Sequence, residues 1–122
     1  MTKNQALEND LLEATKRFEE VLAMPFSEVI RDSAIKRFEL CFDLAWKSAK
    51  EKLRGENIEC FSPKSCFSEA LRAKMLPVEL EQDTNRLLED RNLSVHTYDS
   101  DTADEIYKRL PTYVKVFKAL AK

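Results

Sequence analysis

A chain of 122 residues with a single glycine, Gly55, has no P-loop or dinucleotide fingerprint, because both need several glycines to bring backbone N–H groups against phosphates. Its 34% charged and 43% hydrophobic residues are interleaved and turn formers are scarce, which favours helices over sheets in one domain spanning 1–122. Twenty Lys plus Arg against 22 Asp plus Glu leave a net charge of −2, so no global field draws the chain to nucleic acid or anionic membranes.

Leu7, Leu11, Ala14, Phe18 and Val21 recur at steps of four and three, predicting a first helix that stops near Met24-Pro25. Ser27 suits the N-cap of a second helix that runs about seven turns to Gly55, expected at the left-handed position after its end. Ile30, Ala34, Phe38, Cys41, Ala45 and Ala49 form one stripe on it, and Ile35, Phe42, Trp46 and Leu53 a second beside it. That doubled face places the helix at the centre of a bundle or against another subunit. Ser62-Pro63 caps a short third helix through Cys66, Phe67, Ala70 and Leu71 that ends near Lys74. A fourth runs from about Val78 toward Arg91. The Asp99-to-Thr102 stretch caps a fifth, which carries Ile106, Leu110, Tyr113, Phe117 and Leu120, and Pro111 should kink or split it near Tyr107. The expected fold is all-α, a four-to-five-helix up-and-down bundle.

Residues 1–10 are polar and no run approaches the roughly 20 apolar residues that span a bilayer, so a cytoplasmic location without membrane contact is expected. Three cysteines and one histidine lack metal-ligand spacing. All three cysteines are therefore expected to be reduced, with Cys41 in the core and Cys60 and Cys66 incidental. No cofactor and no metal are implied.

The densest polar stretch, Glu89 to Asp99, holds the only histidine and lies between two predicted helices. Arg91 and His96 would sit about 140° apart on one straight helix, so they converge only if the helix bends or ends near Asn92 to Ser94. A permanent cation, an imidazole that titrates near neutrality and the Tyr98 phenol at one bundle end suit metal-free phosphodiester chemistry. Histidine moves the proton and arginine offsets phosphate charge. The plainer reading makes His96 a helix-end cap and pairs Arg91 with Asp90, Glu89 or a carboxylate on another helix.

The stretch Arg91-Asn92-Leu93-Ser94-Val95-His96-Thr97-Tyr98 resembles the HEPN motif, an Arg, four residues, His, any residue and Tyr. Arg37 to Lys47 is similar to the signature helix of the nucleotidyltransferase substrate-binding branch of that superfamily. The two stretches fall in the family's order, and the resemblance covers about Phe18 to Tyr113. It implies a homodimeric helical bundle that partners a minimal nucleotidyltransferase, often as a toxin with its antitoxin. In the toxin form, two Arg/His motifs face one cleft and cleave RNA without metal. The resemblance then assigns phosphate binding to Arg91, a helper role to Asn92, general acid or base to His96, and adenylyl modification by the partner to Tyr98. It equally admits a non-catalytic subunit that presents substrate or nucleotide to the nucleotidyltransferase.

Three further features have plainer explanations. Asp99-Ser100-Asp101 imitates the paired aspartates of nucleotidyltransferases but lacks their Gly-Ser turn, and is expected to cap a helix. Lys47, Lys50, Lys52 and Arg54 are interrupted by Asp43 and Glu51 and are expected on a solvated face. Trp46, Phe42 and Phe38, at helical spacing, are expected in the core or a dimer interface.

Overall fold

In the computed structural model, which describes residues 1–121, α1 (Lys3–Leu22), α2 (Glu28–Arg54), α3 (Pro63–Arg72), α4 (Glu81–Leu93) and α5 (Ser100–Leu120) form an all-helical bundle. Lys122 lies outside the described residues. Short 3-10 turns at Val78–Leu80 and Ser94–His96 flank α4.

The periodic stripes became the core. Leu11, Phe18, Ala34, Phe38, Cys41, Ala45 and Ala49 are fully buried, as are Ile106, Leu110, Tyr113, Phe117 and Leu120 on α5. Phe38 lies at the centre of a ring cluster, with centroids 6.5 Å from Phe18, 5.5 Å from Tyr113 and 6.2 Å from Phe117. Helix α2 packs against α1, α3 and α5, so its doubled apolar face is used within the chain. Burial also pushes the Cys41 thiol up to about 12, which leaves it a core residue and no nucleophile.

The expected caps are present at α2 and α3: Ser27 Oγ accepts from the Ile30 N–H at 3.1 Å and Ser62 Oγ from the Ser65 N–H at 3.2 Å. Proline stands at the first position of α3.

Two expectations are corrected, and a third is narrowed. Gly55 is right-handed at φ −62°, and the left-handed residue is Asn57 at φ 63°. The Ile58 N–H bonds the Leu53 carbonyl and the Asn57 N–H the Arg54 carbonyl, so α2 unwinds for two residues more before asparagine takes the left-handed step. The same bond pattern stops α3, with Lys74 at φ 63° and the Met75 N–H on the Ala70 carbonyl.

Cys60 and Cys66, expected to be reduced, are joined in a disulfide. The α2–α3 loop folds back over the first turn of α3, which brings their Cα atoms to 5.2 Å, and Leu53, Ile58 and Met75 pack around the bridge. Of the kink or split expected at Pro111, the split is excluded: α5 runs unbroken from Ser100 to Leu120, with Pro111 exposed on its surface.

Candidate functional site

Helix α4 ends where convergence of Arg91 and His96 required. Its last turn carries Asp90, Arg91 and Asn92, and the 3-10 turn at Ser94–His96 redirects the chain before Asp99 caps α5. The consecutive residues then take different environments. Among the described residues no hydrogen bond or ring contact joins Arg91 to His96.

Asp90 is fully buried and faces α5. Its carboxylate receives two bonds from Arg109, Nε to Oδ2 at 2.9 Å and Nη2 to Oδ1 at 2.7 Å, and a third from the Tyr113 hydroxyl. A bidentate arginine supplemented by a phenol leaves this buried anion paired and bonded. The Asp90 bond holds the Arg109 guanidinium above its usual range. Burial first, and the Asp90 bond second, push the Tyr113 phenol well above the ordinary phenol range. This clamp fixes the end of α4 against α5 and so sets where Arg91 points.

Arg91 points toward α2. Its Nη1 lies 3.5 Å from Glu39 Oε2 and 3.3 Å from Ser94 Oγ, and its guanidinium sits 5.7 Å from the Phe42 ring centroid. The Ser94 hydroxyl is 2.9 Å from Glu39 Oε2 and 2.7 Å from the Arg91 carbonyl, so one buried serine ties the carboxylate to the helix end. Arg91 Nε is shielded from solvent and has no hydrogen-bond partner among the described residues. The side chain keeps 30% of its surface exposed. Arg91 is thus a cation oriented from one side by a long ion pair and partly open to solvent on the other.

His96 and Tyr98 are exposed, Tyr98 at 87%, and their rings meet edge to face with centroids 6.1 Å apart. No hydrogen bond among the described residues involves the His96 imidazole. The helix-end cap on α5 is Asp99, whose Oδ1 accepts from the Asp101 N–H at 3.0 Å and whose Oδ2 accepts from the Thr102 hydroxyl at 3.2 Å. The N-cap of α5 is thus Asp99 and not His96. Asn92 is exposed on the last turn of α4.

Beside Arg91 and Asn92 opens a groove of about 500 Å³ between α2, α4 and the start of α3, walled also by Trp46, Leu88 and Lys64. His96 and Tyr98 do not line it. Arg91 and Asn92 therefore face the groove, whereas His96 and Tyr98 stand on open surface. Trp46 is half-buried and forms part of this wall, while Phe38 and Phe42 are core.

The remaining sequence features resolve plainly. In the basic run of α2, Lys50 lies over the Trp46 and Phe61 rings, Arg54 pairs with Glu51 at 3.6 Å and Lys52 with Glu8 at 3.6 Å. Among the described residues no group of three or more His, Cys, Asp or Glu is placed to hold a metal, and no helix is long and apolar enough to cross a membrane. Sequence reasoning missed Glu39, Ser94, Arg109 and Tyr113 as supports of the site. Glu39 is the carboxylate on another helix that the plainer reading offered to Arg91, but no local spacing singles it out from the other acidic residues.

Comparison with known proteins agrees with this architecture. A crystal structure of a protein from Thermus thermophilus superposes with a TM-score of 0.84 at 33% sequence identity, covering 90% of this chain and 94% of that one. None of the curated proteins matches the chain. The family described as nucleotidyltransferase substrate binding protein like matches residues 5–122, and the chain belongs to that family.

Proposed function

We propose that the protein is a HEPN-type partner subunit of a minimal nucleotidyltransferase and, as a homodimer, the toxin half of such a pair, cleaving RNA without metal at Arg91 and His96. One observation carries the reading: α4 ends at Leu93, so that His96 and Tyr98 are exposed and unbonded to other side chains while Arg91, paired with Glu39, keeps part of its side chain exposed. An exposed imidazole can come within hydrogen-bond reach of a substrate proton, as an acid or base catalyst must. Arg91 would bind the phosphate, with Asn92 as polar helper. Exposure of the Tyr98 hydroxyl is what adenylyl transfer by the partner requires, and the added bulk and charge would repel RNA phosphate. Apolar side chains exposed around the motif, Leu40, Leu93 and Val95, supply a surface for a second copy, whose His96 would complete a cleft with Arg91.

A second reading has its own observation. The groove at Arg91 excludes His96 within one chain, which suits a non-catalytic subunit that presents a substrate or nucleotide to the nucleotidyltransferase. RNA cleavage by the purified protein in EDTA separates the two. The ribonuclease reading expects cleavage by wild type and none by folded Arg91→Ala or His96→Ala; no cleavage by wild type would leave the presenting subunit.

A further inference from the structure

The Cys60–Cys66 bridge stands apart from the main core and against the Arg91 groove. With Leu53 it forms a buried cluster of its own, separate from the one around Phe38, and Trp46, Ile58, Ala73 and Met75 pack on it. Trp46 belongs also to the groove wall. Between the bridged cysteines lie Ser62, Pro63 and Lys64, the part of that wall supplied by the start of α3. The side-chain hydrogen bonds of this segment among the described residues run between Phe61, Ser62 and Ser65, and none reaches another helix. The bridge and its packing therefore hold the wall in place.

Cys60 borders a second cavity, of about 220 Å³, lined also by Lys50, Arg54, Ile58, Glu59 and Phe61, and Cys66 does not. Two cations against one carboxylate at that opening favour an anionic visitor. Cys66 is the fourth residue of α3, where the helix N-terminus favours the negative charge of a departing thiolate. One sulfur is thus the approachable one and the other the better leaving group.

We propose that the bridge is a reversible thiol-exchange site: a small anionic thiol, entering beside Lys50 and Arg54, opens the Cys60–Cys66 bond and releases the Ser62-to-Lys64 wall of the groove. Its thiolate attacks Cys60 Sγ, and the electron pair of the broken bond leaves on Cys66 Sγ, which takes up a proton. A second thiol displaces the first from Cys60, so that the chain gains two thiols and the small thiol is oxidised to its disulfide; that disulfide drives the reverse. A bridge with a sequence separation of 6 constrains the unfolded chain less than one that closes a long loop, so the bundle around Phe38 outlasts its opening. Opening acts on the groove whatever the groove binds, and so goes beyond either functional reading.

The full chain, oxidised with glutathione disulfide, is exposed without denaturant to 2-mercaptoethanesulfonate and, separately, to 2-mercaptoethanol, a neutral thiol of similar size. Alkylation and mass follow the opening. Arg54→Gln, at a side chain 69% exposed, should slow opening by the sulfonate about threefold or more and leave the neutral thiol unaffected. Amide exchange should speed up through residues 60–66 while α2 and α5 stay protected. Cysteines that fail to pair, a bridge that opens only in urea, or a sulfonate rate indifferent to Arg54→Gln overturns the proposal. So does opening that leaves exchange at 60–66 unchanged or that unfolds the whole chain.

Discussion

Asp90 and His96 lie six positions apart and take opposite environments, although sequence places both in one polar stretch. Asp90 is buried, bonded through both carboxylate oxygens and clamped to α5. His96 is exposed, its ring meeting the Tyr98 ring edge to face. The difference separates polar groups that build the scaffold from those the scaffold displays. A buried ion stays in place because its bonds replace water; an exposed imidazole without partners contributes little to folding and stays available for chemistry. Arg91, between them, is held on one side and open on the other.

Substitutions graded by burial can break this comparison. Phe38→Ala sets the scale: truncating a fully buried ring at the centre of the aromatic cluster should cost about 3–5 kcal/mol in urea denaturation. Asp90→Ala should cost about 3 kcal/mol, because it strands the Tyr113 hydroxyl and a largely covered Arg109 guanidinium without their partner. A loss under about 1 kcal/mol would mean that water replaces the carboxylate and that the clamp is no scaffold.

Tyr113→Phe removes one bond to that carboxylate and should cost about 1.5 kcal/mol. Its pH dependence has a definite sign. The folded phenol holds its proton above the ordinary range, owing to burial and then to Asp90. The contribution is therefore fully present below the unfolded value near 10 and is lost as pH rises beyond it, when only the unfolded chain releases the proton. The stability gap between wild type and Tyr113→Phe should shrink above about pH 10; a constant gap through about pH 11 would show that the phenol is not coupled to the fold.

The same division marks what sequence can and cannot convey. Apolar spacing exposes one face of each helix to view, and the core of α1, α2 and α5 was legible from steps of three and four. So were Ser27 and Ser62-Pro63, whose capping is a matter of neighbours in sequence. Gly55 misled because the left-handed residue is decided by which carbonyl the returning N–H groups reach, and that falls at Asn57. The Cys60–Cys66 bridge depended on a loop folding back on α3, which a count of cysteines does not convey. Asp90 with Arg109 and Tyr113, and Arg91 with Glu39, join different helices, so no local spacing announces them. Within Glu89 to Asp99 the sequence located the polar stretch, and only tertiary packing divided it into a clamp, a groove wall and an exposed turn.

The smallest expected effect is the most diagnostic. His96→Ala should change stability by no more than about 0.5 kcal/mol, since an exposed imidazole without hydrogen bonds gives folding nothing to lose. Arg91→Ala should fall between it and Asp90→Ala, at about 1 kcal/mol, through its long pair with Glu39 and its contact with the Phe42 ring. Urea denaturation of both variants at one pH reads these differences directly. If His96→Ala costs as much as Asp90→Ala, the histidine belongs to the scaffold and loss of RNA cleavage in that variant would reflect unfolding. If it costs almost nothing while cleavage disappears, the loss lies in chemistry, because the fold that presents Arg91, Asn92 and Tyr98 would be intact.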